Sequence, residues 1–441
     1  MSDLVAARLQ MGMSLAFHIV FAVIGIAMPV LMVVAEQRWQ RTREPVYLDL
    51  ARRWARGTAI LFAVGAVSGT VLSFELGLLW PGFMRFAGPI IGMPFSLEGF
   101  AFFTEAIFLG IYLYGWERVS ERAHRCAGIM VALSGALSGI FVVIANAWMN
   151  TPTGFDIVDG QAVNVRPLAA MANPATIPQV VHMTLAAYAA TGFGVAGIHA
   201  ALILRGRSAG FHRHALAIAL LVGAPTAILL PLSGHYLTTH VARHQPAKFA
   251  AMEALFETQA RAPMTLGGWP DVEARRTRFG IEVPSLLSWL AHNDPNAVVR
   301  GLDSIPRADW PNVPVIHWSF QLMVGLGTYL AVVGVWAVWL LRKKAPLEQR
   351  RRFLRAVAIG TPMGFLAIEA GWIVTELGRQ PWVIYGVMRT ADAVTPVPGQ
   401  LFRTGVFTLI YVFLAAVVTV LLSRQIIRSP MHTGEHRSPL G

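Results

Sequence analysis

Cys126 is the only cysteine among 441 residues. Disulfides within the chain and metal clusters held by cysteine are therefore excluded. No C-x-x-C-H string is present, so the usual covalent attachment of haem is excluded as well. Charge is also scarce: Asp, Glu, Lys and Arg make up 14% of the residues, where a soluble domain carries roughly 25%. The shortage is concentrated in long stretches that have almost no charge at all. There is no P-loop, no Rossmann fingerprint of strand, glycine-rich turn and helix, and no internal repeat, which removes the common nucleotide-binding folds and the repeat architectures.

What fills the uncharged stretches is apolar, and 55% of the chain is hydrophobic. Runs near 14–35, 55–79, 95–116, 126–148, 178–204, 214–236, 314–341, 355–377 and 401–424 each reach the roughly 20 residues that cross a bilayer as a helix. Lipid offers no partner to backbone N–H and C=O groups, so such runs are helical. The expected fold class is an all-α integral membrane protein of about nine transmembrane helices. The first run is too long for a signal peptide and ends at Glu36-Gln37-Arg38 with no small-residue cleavage site after it, so it reads as a retained span.

The net charge of +12 is placed for a membrane and not for nucleic acid. Arg38, Arg41, Arg43, Arg52, Arg53 and Arg56 fall between the first two spans, and Arg118, Arg122 and Arg125 follow the third. Arg205, Arg207 and Arg213 follow the fifth, Arg342 to Arg355 carries the densest group, and Arg424, Arg428 and Arg437 form the tail. All of these lie on one side. The other side's short segments hold only Arg8, Arg85, Arg166, Arg379, Arg389 and Arg403. Basic residues mark the cytoplasmic face, which puts the N-terminus outside and the C-terminus inside, as an odd number of spans requires.

One connection is long. Residues 237–313 face outside, and this loop is nearly neutral and too long to be a mere link. Within it Lys248 to Phe256 reads as a short amphipathic helix with Phe249, Met252 and Phe256 on one face. Such a helix is either a lid packed on the membrane domain or a binding surface for an amphipathic substrate.

Ionisable groups within spans are costly, and each is a candidate for function. His18, Glu75, Glu98, His182 and Glu376 all fall toward the outer face, where they can converge. Glu105 and Glu369 lie deeper, and His199 lies near the inner end of its span. Glu98 and Glu105 are seven residues apart, as are Glu369 and Glu376, so each pair shares a helix face about 10 Å apart along the axis. Trp372 lies on the face of the second pair. Taken singly, each group has a plain structural alternative in pairing with a buried cation or water. Imidazole and thioether are axial ligands of haem iron, and His182 with Met323, on different spans at similar depth, can clamp a haem. Equally, a lone span histidine often bonds a backbone carbonyl, and a span methionine is commonly packing.

Longer strings narrow the choice. Arg8-Leu9-Gln10 ahead of a span with His18, Phe95-Ser96-Leu97-Glu98-Gly99 with Phe103-Thr104-Glu105, Ala145-Asn146-Ala147-Trp148-Met149, Trp318 to Gly325, and Gly371-Trp372-Ile373-Val374-Thr375-Glu376-Leu377-Gly378-Arg379-Gln380-Pro381-Trp382 occur in one order along the chain. Together they resemble subunit I of the cytochrome bd-type ubiquinol oxidases.

That resemblance implies a single membrane domain with three haems. His182 and Met323 would hold a low-spin haem b. His18 and Glu376 would be the axial ligands of two high-spin haems, one haem b and the other haem d or a third haem b. Glu98 would stand beside the di-haem site, and Glu105, with Ser134 or Ser138, on a proton-delivery route. Trp372 would lie between haems and Arg379 beside them. Lys248 and Glu253 would bind quinol in the loop 237–313. The implied activity is oxidation of ubiquinol or menaquinol and reduction of O2 to water, with protons taken from the cytoplasm and no proton pump. The implied setting is a bacterial cytoplasmic membrane, alongside a second, haem-free membrane subunit and in some relatives a small single-span subunit. Gln321 departs from the pattern, because many relatives carry arginine there. The low-spin haem is then expected to sit near less positive charge and at a lower potential. Gln321 and the Phe-Thr-Glu string resemble the cyanide-insensitive branch. Two rival classes stay open on the residues alone: a membrane cytochrome b that only relays electrons, and a proton-coupled permease.

Overall fold

The computed structural model describes residues 2–207 and 209–427. Arg428 and Arg437, counted above on the inner side, lie outside the described residues. Among the described residues nine helical spans are long and apolar enough to cross a membrane, so the expected all-α membrane fold is found. Its helices are α1 (Asp3–Thr42), α2 (Pro45–Leu79), α3 (Pro81–Tyr114), α4 (Glu121–Asn150), the short α5 (Pro167–Met171), α6 (Thr176–Leu204) and α7 (Ala209–His244). After these come α8 (Pro246–Glu253), α9 (Leu286–His292), α10 (Val313–Arg342), α11 (Arg351–Ile359), α12 (Met363–Leu377), α13 (Thr390–Ala393) and α14 (Gln400–Ile427). Local chemistry sets several starts: Ser2, Ser120 and Asn312 accept first-turn N–H groups, and Pro45, Pro81 and Pro246 open their helices, where a missing N–H costs nothing.

Two boundaries differ from the sequence reading. The span expected at 355–377 is broken between α11 and α12, where Pro362 has no N–H to give and disfavours helical geometry in the residue before it. The sixth span runs on to His244, so the long connection begins about two turns later than expected.

The bundle's tightest seam joins α6 to α7. A methyl group on Gly192 would lie 2.5 Å from the Gly223 Cα, and Ala189, Ala196, Ala219, Ala224 and Ala227 continue the seam in one buried cluster. Small residues let helix backbones approach where lipid provides no hydrophobic drive. The same device sets α12 on α6, because a methyl on Gly364 would meet the Ala190 Cα at 2.4 Å. The helices that carry His182 and Glu376 are therefore fixed against each other. At the end of the bundle that carries the long loop, Trp80, Phe83, Phe86, Ile90, Trp148 and Ile384 form a second core.

The long loop is more structured than its sequence suggested. Three antiparallel ladders fold it: Gln259–Ala260 with Val298–Val299, Met264–Leu266 with Ile281–Val283, and Trp269–Asp271 with Arg276–Arg278. Runs of two or three residues are too short to show alternation. The expected amphipathic helix over 248–256 is also corrected. The helix ends at Glu253, with Ala254 left-handed at φ 50°, and every residue from Ala247 to Glu253 is buried. Phe249 packs with Leu255, Leu287 and Val299, while Met252 and Phe256 pack with Ile316 and Phe320, so the three do not share a face.

Candidate cofactor-binding site

Two histidines are prepared in the same way on separate helix pairs. His18 on α1 places Nδ1 2.9 Å from the Ser68 hydroxyl of α2, and that hydroxyl donates to the Val64 carbonyl at 2.9 Å. His182 on α6 places Nδ1 2.9 Å from the Ser233 hydroxyl of α7, which donates to the Leu230 carbonyl at 3.0 Å. A serine whose proton is committed to a carbonyl accepts from the imidazole. Nδ1 then carries the proton and Nε2 keeps its lone pair, the arrangement in which a neighbouring group holds a metal-binding histidine. Gly69 makes room for the first ring, since a methyl there would sit 3.0 Å from His18 Cε1.

Met323 on α10 is half-buried, and its sulfur lies 3.0 Å from where a methyl on Gly371 of α12 would be. The next residue, Trp372, packs in one cluster with Leu15 and Ile19 beside His18 and with Met183 beside His182. Helices α1, α6 and α12 thus pack together around the indole, and α10 meets α12 at the residue before it. The Trp372 Nε1 and the Glu369 Oε1 are buried without a partner.

Glu376 accepts a short hydrogen bond from the Asn146 carboxamide of α4 and one of 2.5 Å from Arg379. Arg379 is 2% exposed, yet its Nε and Nη1 are buried with no acceptor. Two unpaired guanidinium donors in an interior are costly, and they fit an anionic group such as a haem propionate. The network continues into the loop. Asn150 donates to Asn146, and Lys248 donates to the Asn150 carboxamide oxygen at 2.6 Å, an acceptor that Gln245 shares at 3.0 Å. Burial, with the charge of Arg379 adding to it, pushes the Lys248 amine well below the usual lysine range, against the pull of Glu376. Burial pushes the Glu253 carboxyl up to about 8, and its Oε2 has no partner.

Glu98 meets Ser138 and Glu105 meets Gly135, both on α4, so the two carboxylates share a helix face, as their spacing predicted. Glu105 is 5% exposed, and its carboxyl lies 3.2 Å from where a methyl on Gly135 would be. Ser134 is buried beside it and donates to the Met130 carbonyl at 2.6 Å. Glu75 accepts from Gln10 and Ser14 of α1 at 2.9 and 3.0 Å. His199 stands apart from this group, bonded to His212 at 2.9 Å across α6 and α7.

Sequence reasoning missed Ser68, Ser233, Asn150 and Gln245, and it gave Asn146 no role. Serine and asparagine are too common in helices to be noticed singly. The one available signal was the spacing of Asn146 and Asn150, four residues apart at the end of a span. Among the described residues no three His, Cys, Asp or Glu side chains gather into a metal cage. Single imidazole, thioether and carboxylate groups presented between helices suit a group that brings its own equatorial donors, as haem does.

The fold and site therefore define a membrane-embedded helix bundle with single imidazole, thioether and carboxylate side chains held between its helices. The chain belongs to the cytochrome bd terminal oxidase subunit I family, whose model matches residues 6–430. It is similar to a Bacillus subtilis (strain 168) protein provisionally named a cytochrome bd menaquinol oxidase subunit I, 38% identical and covering 96% of each chain. It is also similar to the cytochrome bd ubiquinol oxidase subunit 1 of that organism, 32% identical over 100% of this chain and 97% of the relative. The solved bd oxidase of Geobacillus thermodenitrificans superposes with a TM-score of 0.91 at 37% identity, over 97% of this chain and 99% of that one. Membership makes the chain a multi-span subunit of a bacterial respiratory terminal oxidase, an oxidoreductase whose cofactors are haems and whose designation as subunit I implies a second subunit.

Proposed function

We propose that this subunit oxidises quinol at the loop end of the bundle and reduces oxygen to water between α1, α6, α10 and α12. His182 Nε2 and the Met323 sulfur would hold a low-spin haem b. His18 Nε2 and a Glu376 oxygen would hold two high-spin haems, one haem b and the other haem d or a third haem b. The observation that supports this assignment best is the matched pair of serine-held histidines, each with Nε2 left open. When bound, the haems supply electron transfer and oxygen reduction, chemistry that side chains alone do not provide.

The chain's own residues do the rest. Arg379 gives its two unpaired donors to a propionate and holds Glu376 with a third. Asn146 fixes the Glu376 carboxylate from the opposite side. Lys248 and Glu253 bind the quinol head group within the inserted loop 237–313. A Lys248 amine pushed down by burial accepts a quinol hydroxyl proton at Nζ, and the Glu253 carboxyl, neutral until about pH 8, donates a hydrogen bond to the ring oxygen. The basic connections face the cytoplasm, so quinol protons leave outside, while Glu105 and Glu98 carry cytoplasmic protons to the oxygen site. The enzyme is then electrogenic without pumping. It works in a bacterial cytoplasmic membrane beside a haem-free second subunit, with ubiquinol or menaquinol as donor, and its cyanide response is that of the insensitive branch.

Replacing Lys248 or Glu253 with Ala is expected to lower quinol turnover about tenfold, the worth of one hydrogen bond at the upper end of its usual range. Oxygen consumption with N,N,N′,N′-tetramethyl-p-phenylenediamine, which enters beyond the quinol site, should be kept. Equal losses with both donors would make the loop merely structural.

A further inference from the structure

Two α10 residues that the oxidase reading leaves without a task, His317 and Gln321, both reach into the loop. His317 is 0% exposed. Its Nδ1 lies 2.8 Å from the Met252 carbonyl and its Nε2 lies 2.9 Å from the Gly267 carbonyl. Carbonyl oxygens only accept, so the ring acts toward both as a donor, once in either neutral tautomer and twice as the imidazolium. One turn further on, Gln321 donates from Nε2 to the Thr265 carbonyl at 2.9 Å and accepts from the Gly267 N–H at 3.4 Å. Both ends of its carboxamide are thus spent on loop backbone.

The contact with Met252 falls where α8 needs it. The Ala250 and Ala251 carbonyls are capped by the Leu255 and Ala254 N–H groups, and the Met252 carbonyl receives the His317 imidazole. The residue after Glu253, Ala254, holds the left-handed conformation at φ 50°, which a residue with a Cβ adopts only at a cost. Something must hold that turn, and His317 bonds the carbonyl two residues before it. The residue between is Glu253.

We infer that His317 and Gln321 are positioning residues for the quinol site: a clamp on the helix that carries Met323, fixing the end of α8 and the 265–267 segment so that Glu253 and Lys248 meet the head group. This rests on the quinol-site reading above. It also changes the meaning of Gln321. Its carboxamide is spent on the loop, so its part in this chain is to dock the quinol segment and not to set the charge around the neighbouring haem.

The test uses the complete two-subunit oxidase and decylubiquinol, or a menaquinol analogue if the wild type turns over only that. Gln321→Leu and His317→Phe are each expected to raise the quinol KM about tenfold, the worth of a lost charge-free to charge-assisted hydrogen bond. Quinol kcat, activity with N,N,N′,N′-tetramethyl-p-phenylenediamine and the low-spin haem potential should stay at wild-type values. His317→Gln, which keeps one donor, should recover part of the KM. Gln321→Leu is the milder variant and keeps the test sharp if His317→Phe does not assemble. A shifted haem potential with unchanged KM in Gln321→Leu would overturn the clamp, as would parallel loss with both donors in both variants. Lys248→Ala in the same assay separates the two levels. If it is impaired while both clamp variants keep a normal KM, the clamp alone fails. If it keeps both wild-type quinol turnover and a normal KM, the quinol-site reading fails and the clamp's purpose fails with it.

Discussion

Glu105→Gln is expected to assemble with all its haems, to bind carbon monoxide as the wild type does, and to lose turnover per haem by on the order of 100-fold, the lower end of what one proton-transfer group contributes. Glu105 lies on α3 two turns from Glu98, is 5% exposed, and rests against the Gly135 backbone of α4. Glutamine keeps its shape and most of its hydrogen bonding but cannot exchange a proton. A group that only packs α3 on α4 would give the opposite pattern, with haem lost and the remaining haem fully active. Turnover per haem is therefore the quantity to measure, and a wild-type value would remove Glu105 from the proton route.

Met323→Leu should cost little in packing, since a volume-conserving swap in a core typically costs less than about 1.5 kcal/mol. It removes the thioether that lies against Gly371, and leucine has no lone pair to offer iron. The low-spin haem signal is expected to vanish or convert to high spin, while most of the high-spin signal at His18 and Glu376 remains. Quinol-driven oxygen consumption should then fall at least tenfold, with the artificial donor less affected, if removal of one axial ligand interrupts the entry haem. An unchanged low-spin spectrum would take Met323 out of the ligand set.

The membrane fold was legible in the sequence. Apolar runs of membrane length identified the nine spans, because lipid leaves a long apolar segment no other backbone geometry. Alternating the spans then put His18, His182 and Glu376 at matching depths, and the packing around Trp372 brings their helices together. Periodicity reached no further than that. The choice of which residues to propose as ligands came from the family strings, since a histidine in a span looks the same whether Ser68 or His212 lies at its Nδ1. The serines behind His18 and His182 are contacts between helices, invisible to spacing along one helix. The loop was read least well: its strands are shorter than a period can register, and α8 is buried on all sides instead of two-faced. The chain Lys248, Asn150, Asn146, Glu376 joins three segments far apart in sequence, and beyond the Asn146–Asn150 spacing no local pattern announces it.

The most direct measurement is the visible spectrum of the purified two-subunit enzyme, recorded as the reduced-minus-oxidised difference and again after carbon monoxide is added to the reduced form. The expected result is a low-spin haem b that carbon monoxide leaves unchanged, together with high-spin haem that binds it, the low-spin component disappearing selectively in Met323→Leu. Low-spin haem alone, with no response to carbon monoxide, would contradict an oxygen-reducing site and leave an electron relay. A protein without haem absorbance would contradict the ligand assignment altogether.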